Sequence, residues 1–269
     1  MFKNTLHISL FVAGALMLAS CEKVINVDIK ESPNQLVIEG NITDTTGTQI
    51  IKLSKSVAYT DSNIYPPVTG AQVTLYDDSG FAYTFGEEQP GLYTYHEFRG
   101  RPGRSYRMEV KVDNKLYKAQ SSMPEPVTLD SLSITKIRFG NSETRVIAVH
   151  FKDPKGIANQ YRFIMKVNGK LTKRVYASDD RLRDGNTIKE QLYYSSDEDN
   201  EEITSGDEVE IEMQCIDKPV FKYWVTLQDQ SQNGPGGGVT PANPPSNIDN
   251  NALGYFSAHS KRVRAIKVP

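Results

Sequence analysis

From Asn34 to Met123 the chain alternates apolar and polar residues in short runs separated by turn residues, the period-two pattern of half-buried strands. Leu36 to Ile42, Ile50 to Leu53 and Ala71 to Tyr76 read as the first three strands. Asp78-Ser79-Gly80 turns the chain into Tyr83 to Phe85, and Gln89-Pro90-Gly91 precedes Tyr93 and Tyr95. The clearest strand sets Tyr106, Met108, Val110 and Val112 inward against Arg107, Glu109, Lys111 and Asp113, before Asp113-Asn114 turns into Leu116 to Ala119. About seven short strands at this spacing predict an immunoglobulin-like β-sandwich over residues 34–124. Pro124-Glu125-Pro126 marks a boundary, because two prolines in three residues end helix and sheet pairing alike.

A second β-rich domain is expected over 125–269. Tyr161, Phe163, Met165 and Val167 alternate with Gln160, Arg162, Ile164 and Lys166, and Asn168-Gly169 is a hairpin turn leading to a return strand over Leu171 to Tyr176. Val209 to Ile216 forms another strand, and Gly254 to Ala258 and Arg262 to Val268 read as two closing strands. Between them the period becomes helical: Asp217 caps a helix near 218–231 with Pro219 in its first turn and Val220, Tyr223, Trp224 and Leu227 on one packed face. The lone Trp is read as a packing anchor. Residues 233–251 are rich in Gly, Pro and Asn and read as a long loop.

The order of the first strands, with Val73 to Asp77 followed by Gly91-x-Tyr93, resembles the carboxypeptidase-regulatory and fibronectin-like modules of envelope proteins. That likeness implies a fold and no function.

The first residues carry an address. Lys3 supplies the only cation before an apolar run, Leu6 to Ala19, too short to cross a bilayer that takes about 20 residues. The run ends in Leu18-Ala19-Ser20-Cys21, which resembles the lipobox of bacterial lipoproteins. The resemblance implies cleavage between Ser20 and Cys21, so that 1–20 is a signal peptide and 21–33 a lipidated tether. Cys21 then receives a diacylglyceryl thioether, and its new amine is acylated, with palmitate as the label to follow. Each buried CH₂ is worth about 0.8 kcal/mol, so several chains anchor far better than one. Glu22 in place of Asp removes the inner-membrane retention signal and favours the outer membrane. The leaflet stays open, since Glu22-Lys23-Val24 is a weak match to acidic surface-export signals.

Composition then narrows the function classes. With 38% hydrophobic and 24% charged residues the chain can bury a core. Its net charge of −2, which becomes −3 when Lys3 leaves with the signal, argues against nucleic-acid binding. Of two cysteines one is lipidated, so no internal disulfide is expected. Cys215 falls on the apolar face of Val209, Ile211 and Met213 with acidic residues around it, a setting for an inert thiol.

The sequence carries no recognisable catalytic or metal motif. No two of His7, His96, His150 and His259 have metal-ligand spacing. His259 with Ser257 or Ser260 suggests a hydrolase pair only in passing, since no nucleophile elbow accompanies it and the three residues share one strand. Five carboxylates lie in Asp197 to Glu202, without the spacing or central Gly of an EF-hand, and read as a solvated hairpin tip. Gly234 to Gly238 lacks the Lys of a phosphate loop, and Lys261, Arg262, Arg264 and Lys267 form a basic tail suited to an edge strand or to anionic headgroups. No cofactor, no metal and no catalytic residues are expected.

Asn243-Pro244-Pro245-Ser246-Asn247-Ile248 followed by Leu253-Gly254-Tyr255-Phe256-Ser257-Ala258 resembles the signature of a Bacteroidota outer-membrane lipoprotein family classed as a domain of unknown function. Asp184-Gly185, Gly206-Asp207 and the helix after Asp217 agree with it. The resemblance implies a gene beside a TonB-dependent receptor, hence a non-enzymatic binding or accessory role at a transporter. Two other readings stand beside it: an envelope hydrolase using Asp179, Asp180 and Asp184, or a structural spacer or adhesin.

Overall fold

Side chains that alternate in burial define the strands, and the turn residues between them set the order. The computed structural model describes residues 34–58, 62, 64–139, 142–194, 202–232 and 243–269. In the N-terminal half the strands are β1 (Leu36–Thr43), β2 (Gly47–Lys55), β3 (Gln72–Asp77), β4 (Ala82–Gln89), β5 (Leu92–Phe98), β6 (Ser105–Val112) and β7 (Lys115–Ser122). All seven lie where the alternation places them. Asp113 and Asn114 both take positive φ, at 50° and 58°, the conformation that matches a two-residue turn to the twist of its flanking strands.

β1, β2 and β5 form one layer and β3, β6 and β7 the other. β4 joins them: Ala82–Phe85 pairs with β3, while Gly86–Gln89 crosses to pair with β5 through a bulge. Between the layers lie fully buried Ile38, Ile51, Leu53, Val73, Leu75, Met108 and Val110. The hydroxyl of Tyr106, near the start of β6, accepts the Arg101 peptide N–H at 2.7 Å and pins the preceding corner, as a tyrosine does in immunoglobulin-like sandwiches.

The C-terminal half repeats the plan. β8 (Leu129–Phe139), β9 (Ser142–Lys152) and β13 (Thr187–Tyr193) form a three-stranded sheet. Facing it are β10 (Gln160–Val167), β11 (Lys170–Leu171), β12 (Tyr176–Asp179), β14 (Glu208–Ile216) and part of β15 (Leu253–Lys267). Their shared core holds Phe151, Tyr161, Phe163, Met165, Ile211 and Met213. The return strand expected over 171–176 is interrupted. Pairing runs Lys166 to Leu171 and resumes at Phe163 to Tyr176, so four residues of the returning chain face two of β10 and bulge out.

The two closing strands expected at the C-terminus are one strand, β15, and its halves serve different sandwiches. Leu253–His259 pairs in parallel with β1, and Ser260–Lys267 pairs antiparallel with β14. A single twelve-stranded sheet therefore runs through both halves, and Pro33–Pro269 is one compact unit. Phe256 and Ala258 belong to the N-terminal core although they lie beyond residue 125. Parallel pairing needs a long crossover, and here the crossover is nearly the whole chain.

Helix α1 (Lys218–Gln232) starts where Asp217 predicts, with the Val220 N–H donating to the Asp217 carboxylate at 3.1 Å. Trp224 packs on Tyr255 and Tyr223, and the Arg162 guanidinium stacks 3.4 Å from the centre of its ring. The lone Trp is a packing anchor, as its place on the helical stripe implies. No helix among the described residues is long and apolar enough to cross a membrane.

Candidate functional site

Ser20 and Cys21 lie outside the described residues, as do residues 197–201 of the acidic run and the glycines of 234–238. The remaining residues singled out in the sequence have definite places. Cys215 is a free, buried thiol whose sulfur accepts the Val127 N–H at 3.4 Å, and burial pushes its pKa up. It is inert for the reason its strand face predicts.

Ser257 and His259 share a face of β15 and do meet, at 3.0 Å between Oγ and Nδ1. Each is 1% exposed, so no substrate reaches the pair, and burial lowers the His259 pKa to about 4. The imidazole is a neutral core group. Three cations of the basic tail are engaged within the fold: Lys261 with Glu212, Arg262 with buried Asp44, and the Arg264 Nε with the Leu129 carbonyl.

Asn247, in the stretch that resembles a family signature, donates its amide to the Phe256 carbonyl at 2.7 Å and accepts the Phe256 N–H at 2.9 Å. Asp249 exchanges bonds with both peptide groups of Lys118, and Ile248 fills the N-terminal core. That stretch seals the open edge of β7 and brings β15 to β1.

A groove of about 770 Å³ opens on the outer face of β1 and β2. Its floor is the cross-strand pair Glu39 and Lys52, 3.4 Å apart. Tyr65 from the loop after β2, Tyr223 from α1, and Asn243 and Pro244 form its walls. Burial and neighbouring Tyr255 hold the Tyr223 hydroxyl protonated, its pKa pushed up to about 12. Aromatic walls over a charged floor suit a polar partner with apolar faces. The residues that line it start at Val37 and run past Pro244, so no local motif announces them.

A smaller cleft of about 470 Å³ lies at one end of the N-terminal sandwich, where Tyr83, Tyr95, Phe98 and Tyr106 meet edge to face beside Arg101 and Arg104. Arg104 is held by Asp78 at 2.9 Å.

The carboxylates of the hydrolase reading do not assemble as a trio. Asp179 turns to Arg181 at 2.6 Å. Asp180 and Asp184 instead meet Asp153, which sequence reasoning misses because it lies on the far side of β10 in the chain. Its signal is a turn: Asp153-Pro154-Lys155-Gly156 faces Asp184-Gly185, and each turn's glycine N–H donates to the other's carboxylate, Gly185 to Asp153 at 2.9 Å and Gly156 to Asp184 at 2.7 Å.

A family model described as a domain of unknown function (DUF4249) matches residues 22–265. The chain belongs to that family. Among solved structures, the DUF4249 chain is similar to a two fibronectin type-III domain segment from chicken tenascin, at 11% identity over 88% of this chain and 99% of that one, with a TM-score of 0.25. It is also similar to a chain of a cytokine receptor complex, at 5% identity over 86% of this chain and 95% of the other, with a TM-score of 0.26. No curated protein matches it. In this DUF4249 chain the contacts of Asn247 and β15 give the signature stretch a structural role, since they join the last strand to the first.

Proposed function

We propose that this protein is a lipoprotein of the outer membrane, anchored through acyl chains on Cys21, that acts as a non-enzymatic binding or accessory module beside a TonB-dependent transporter. The observation that carries the reading is the junction at residue 21: the lipobox Leu18-Ala19-Ser20-Cys21 ends where the family match begins. The groove is the surface offered to the partner. Val37, which also lines it, is sixteen residues from Cys21, a contour of at most about 58 Å, so the groove works within that reach of the membrane. The hydrolase alternative loses support because Asp179 is held by Arg181 and Ser257 with His259 is sealed in the core.

Labelled palmitate fed to cells is expected in the unaltered protein and absent from Cys21→Ser, which stays uncleaved. Purification from detergent-solubilised membranes is expected to bring a transporter with it. Lys52→Glu, which sets a second anion opposite Glu39, is expected to lose that partner while keeping the label. Absence of label sinks the anchor. A protein that repeatedly purifies alone sinks the accessory role.

A further inference from the structure

Around the start of β10 the chain gathers more oxygen than its own hydrogen bonds use. Asp153, Asp180 and Asp184 each place a carboxylate oxygen within 4.8 Å of the others. Asp153 is 1% and Asp180 3% exposed, and neither has an ion-pair partner among the described residues. The arginines of the adjoining turn are engaged elsewhere, Arg181 with Asp179 and Arg183 with Glu190. Two buried like charges at this distance repel one another and have given up their hydration, an arrangement that a cation would relieve.

A second observation points to the same place. Asn159 is 6% exposed, and its Oδ1 has no hydrogen-bond partner. Its direction follows from the alternation that runs into β10, which buries Asn159, Tyr161 and Phe163 on one face. Tyr161, two residues on, reaches the Asp153 carboxylate with its hydroxyl at 2.5 Å. The Asn159 N–H donates to Asp180 Oδ2 at 2.7 Å and its carbonyl accepts the Asp180 N–H at 3.2 Å, so the two residues stand opposite one another where β10 meets β12, the register that turns their side chains to the same face. Ser178, opposite Tyr161 on β12, adds a buried hydroxyl oxygen without a partner.

We propose that Asp153, Asp180, Asp184 and the amide oxygen of Asn159 bind a calcium ion. Calcium takes six to eight oxygen ligands at about 2.3–2.6 Å, so ligands on opposite sides of it stand roughly 4.6–5.2 Å apart, which suits the observed spread. Magnesium needs tighter octahedral geometry and keeps most of its water, and zinc prefers the nitrogen and sulfur donors this set lacks. Bound there, the ion ties the turn after β9 to the turn after β12 and clamps one end of the C-terminal sandwich.

The test uses the full chain in detergent, stripped with EDTA and then titrated with calcium chloride, magnesium chloride or terbium chloride. Calcium is expected to raise the melting temperature by several degrees and to displace terbium whose emission is excited through tyrosine. Asp184→Asn, at an exposed position, is expected to weaken calcium by about tenfold or more while melting close to the unaltered protein in EDTA. Asp180→Asn is expected to lose the response without melting lower in EDTA, since it removes one of two repelling charges. The proposal is overturned by no shift at millimolar calcium, by an equal effect of magnesium, or by a loss of stability in either variant that is the same with and without calcium.

Discussion

The backbone of Gly254 passes so close to Ile38 that a β-carbon on residue 254 would sit 2.1 Å from the Ile38 carbonyl oxygen. Gly254 also takes a φ of +89°, in the left-handed region that glycine adopts without a steric penalty. The two residues are paired on the parallel ladder of β1 and β15, the seam through which the C-terminal strand enters the N-terminal sandwich. Glycine at this position lets the seam close.

Gly254→Ala is therefore expected to destabilise the protein by about 3 kcal/mol, combining backbone strain with a clash against main chain that has nowhere to move. Gly206→Ala is the control, because Gly206 has a φ of +97° with nothing within 4 Å of the added carbon, and about 1 kcal/mol is expected. Urea denaturation of both variants measures the difference. Equal losses at the two sites would mean that the contact with Ile38 contributes nothing.

His259 makes stability depend on pH. Its pKa drops from 6.5 in the unfolded chain to about 4 in the fold, chiefly through burial. The unfolded state therefore takes up the proton first as pH falls. The contribution is full above pH 6.5 and is lost progressively toward pH 4, with a slope of at most about 1.4 kcal/mol per pH unit. Denaturation midpoints measured across that window should fall more steeply for the unaltered protein than for His259→Gln, which has no charge to gain. Parallel profiles would show that the imidazole is not the titrating group.

Asp217 links the helix to the N-terminal sandwich. One carboxylate oxygen caps α1 through the Val220 N–H, and the other accepts the Ser121 hydroxyl at 2.8 Å and the Ser122 N–H at 2.9 Å. Asp217→Ala is expected to cost about 2–3 kcal/mol, the sum of a lost cap and an unsatisfied N–H, and Asp217→Asn about 1–3 kcal/mol, because its NH2 replaces one accepting oxygen and leaves either the Val220 or the Ser122 N–H without an acceptor. Burial raises the pKa of this carboxyl above 3.8, so its ionised form fits the fold less well, and that unfavourable contribution fades as pH falls through the folded pKa toward 3.8. Calorimetry at neutral and acidic pH reads this directly: the unaltered protein should gain stability relative to Asp217→Asn on acidification. A gap that stays constant would show that folding does not shift the titration of the carboxyl.

Legibility in the sequence followed burial. Among the N-terminal strands β1, β6 and β7 alternate cleanly because one face of each lies on a core, whereas β3 buries Val73, Thr74 and Leu75 in succession. β9 escapes individual placement because Val146, Ile147, Ala148 and Val149 are all buried, so its period is hidden. The helix is readable from Asp217 and its stripe, and Cys215 from its strand face. The acidic cluster is half visible: Asp180 and Asp184 stand out in one short segment, whereas Asp153 and Asn159 reach them only when β10 pairs with β12.

What the amino-acid order determined by itself is local: the period-two runs, the Asp113-Asn114 and Asn168-Gly169 turns, the helix start and the inward face of Cys215. These depend on backbone preference and on burial of one face, which act over a few residues at a time. Tertiary structure alone decided that one C-terminal strand serves two sandwiches, that Glu39 and Tyr223 share a groove, and that three acids from two turns converge. Those choices depend on packing between residues more than a hundred apart in some cases, and a local pattern contains no term for which distant surface will bury it.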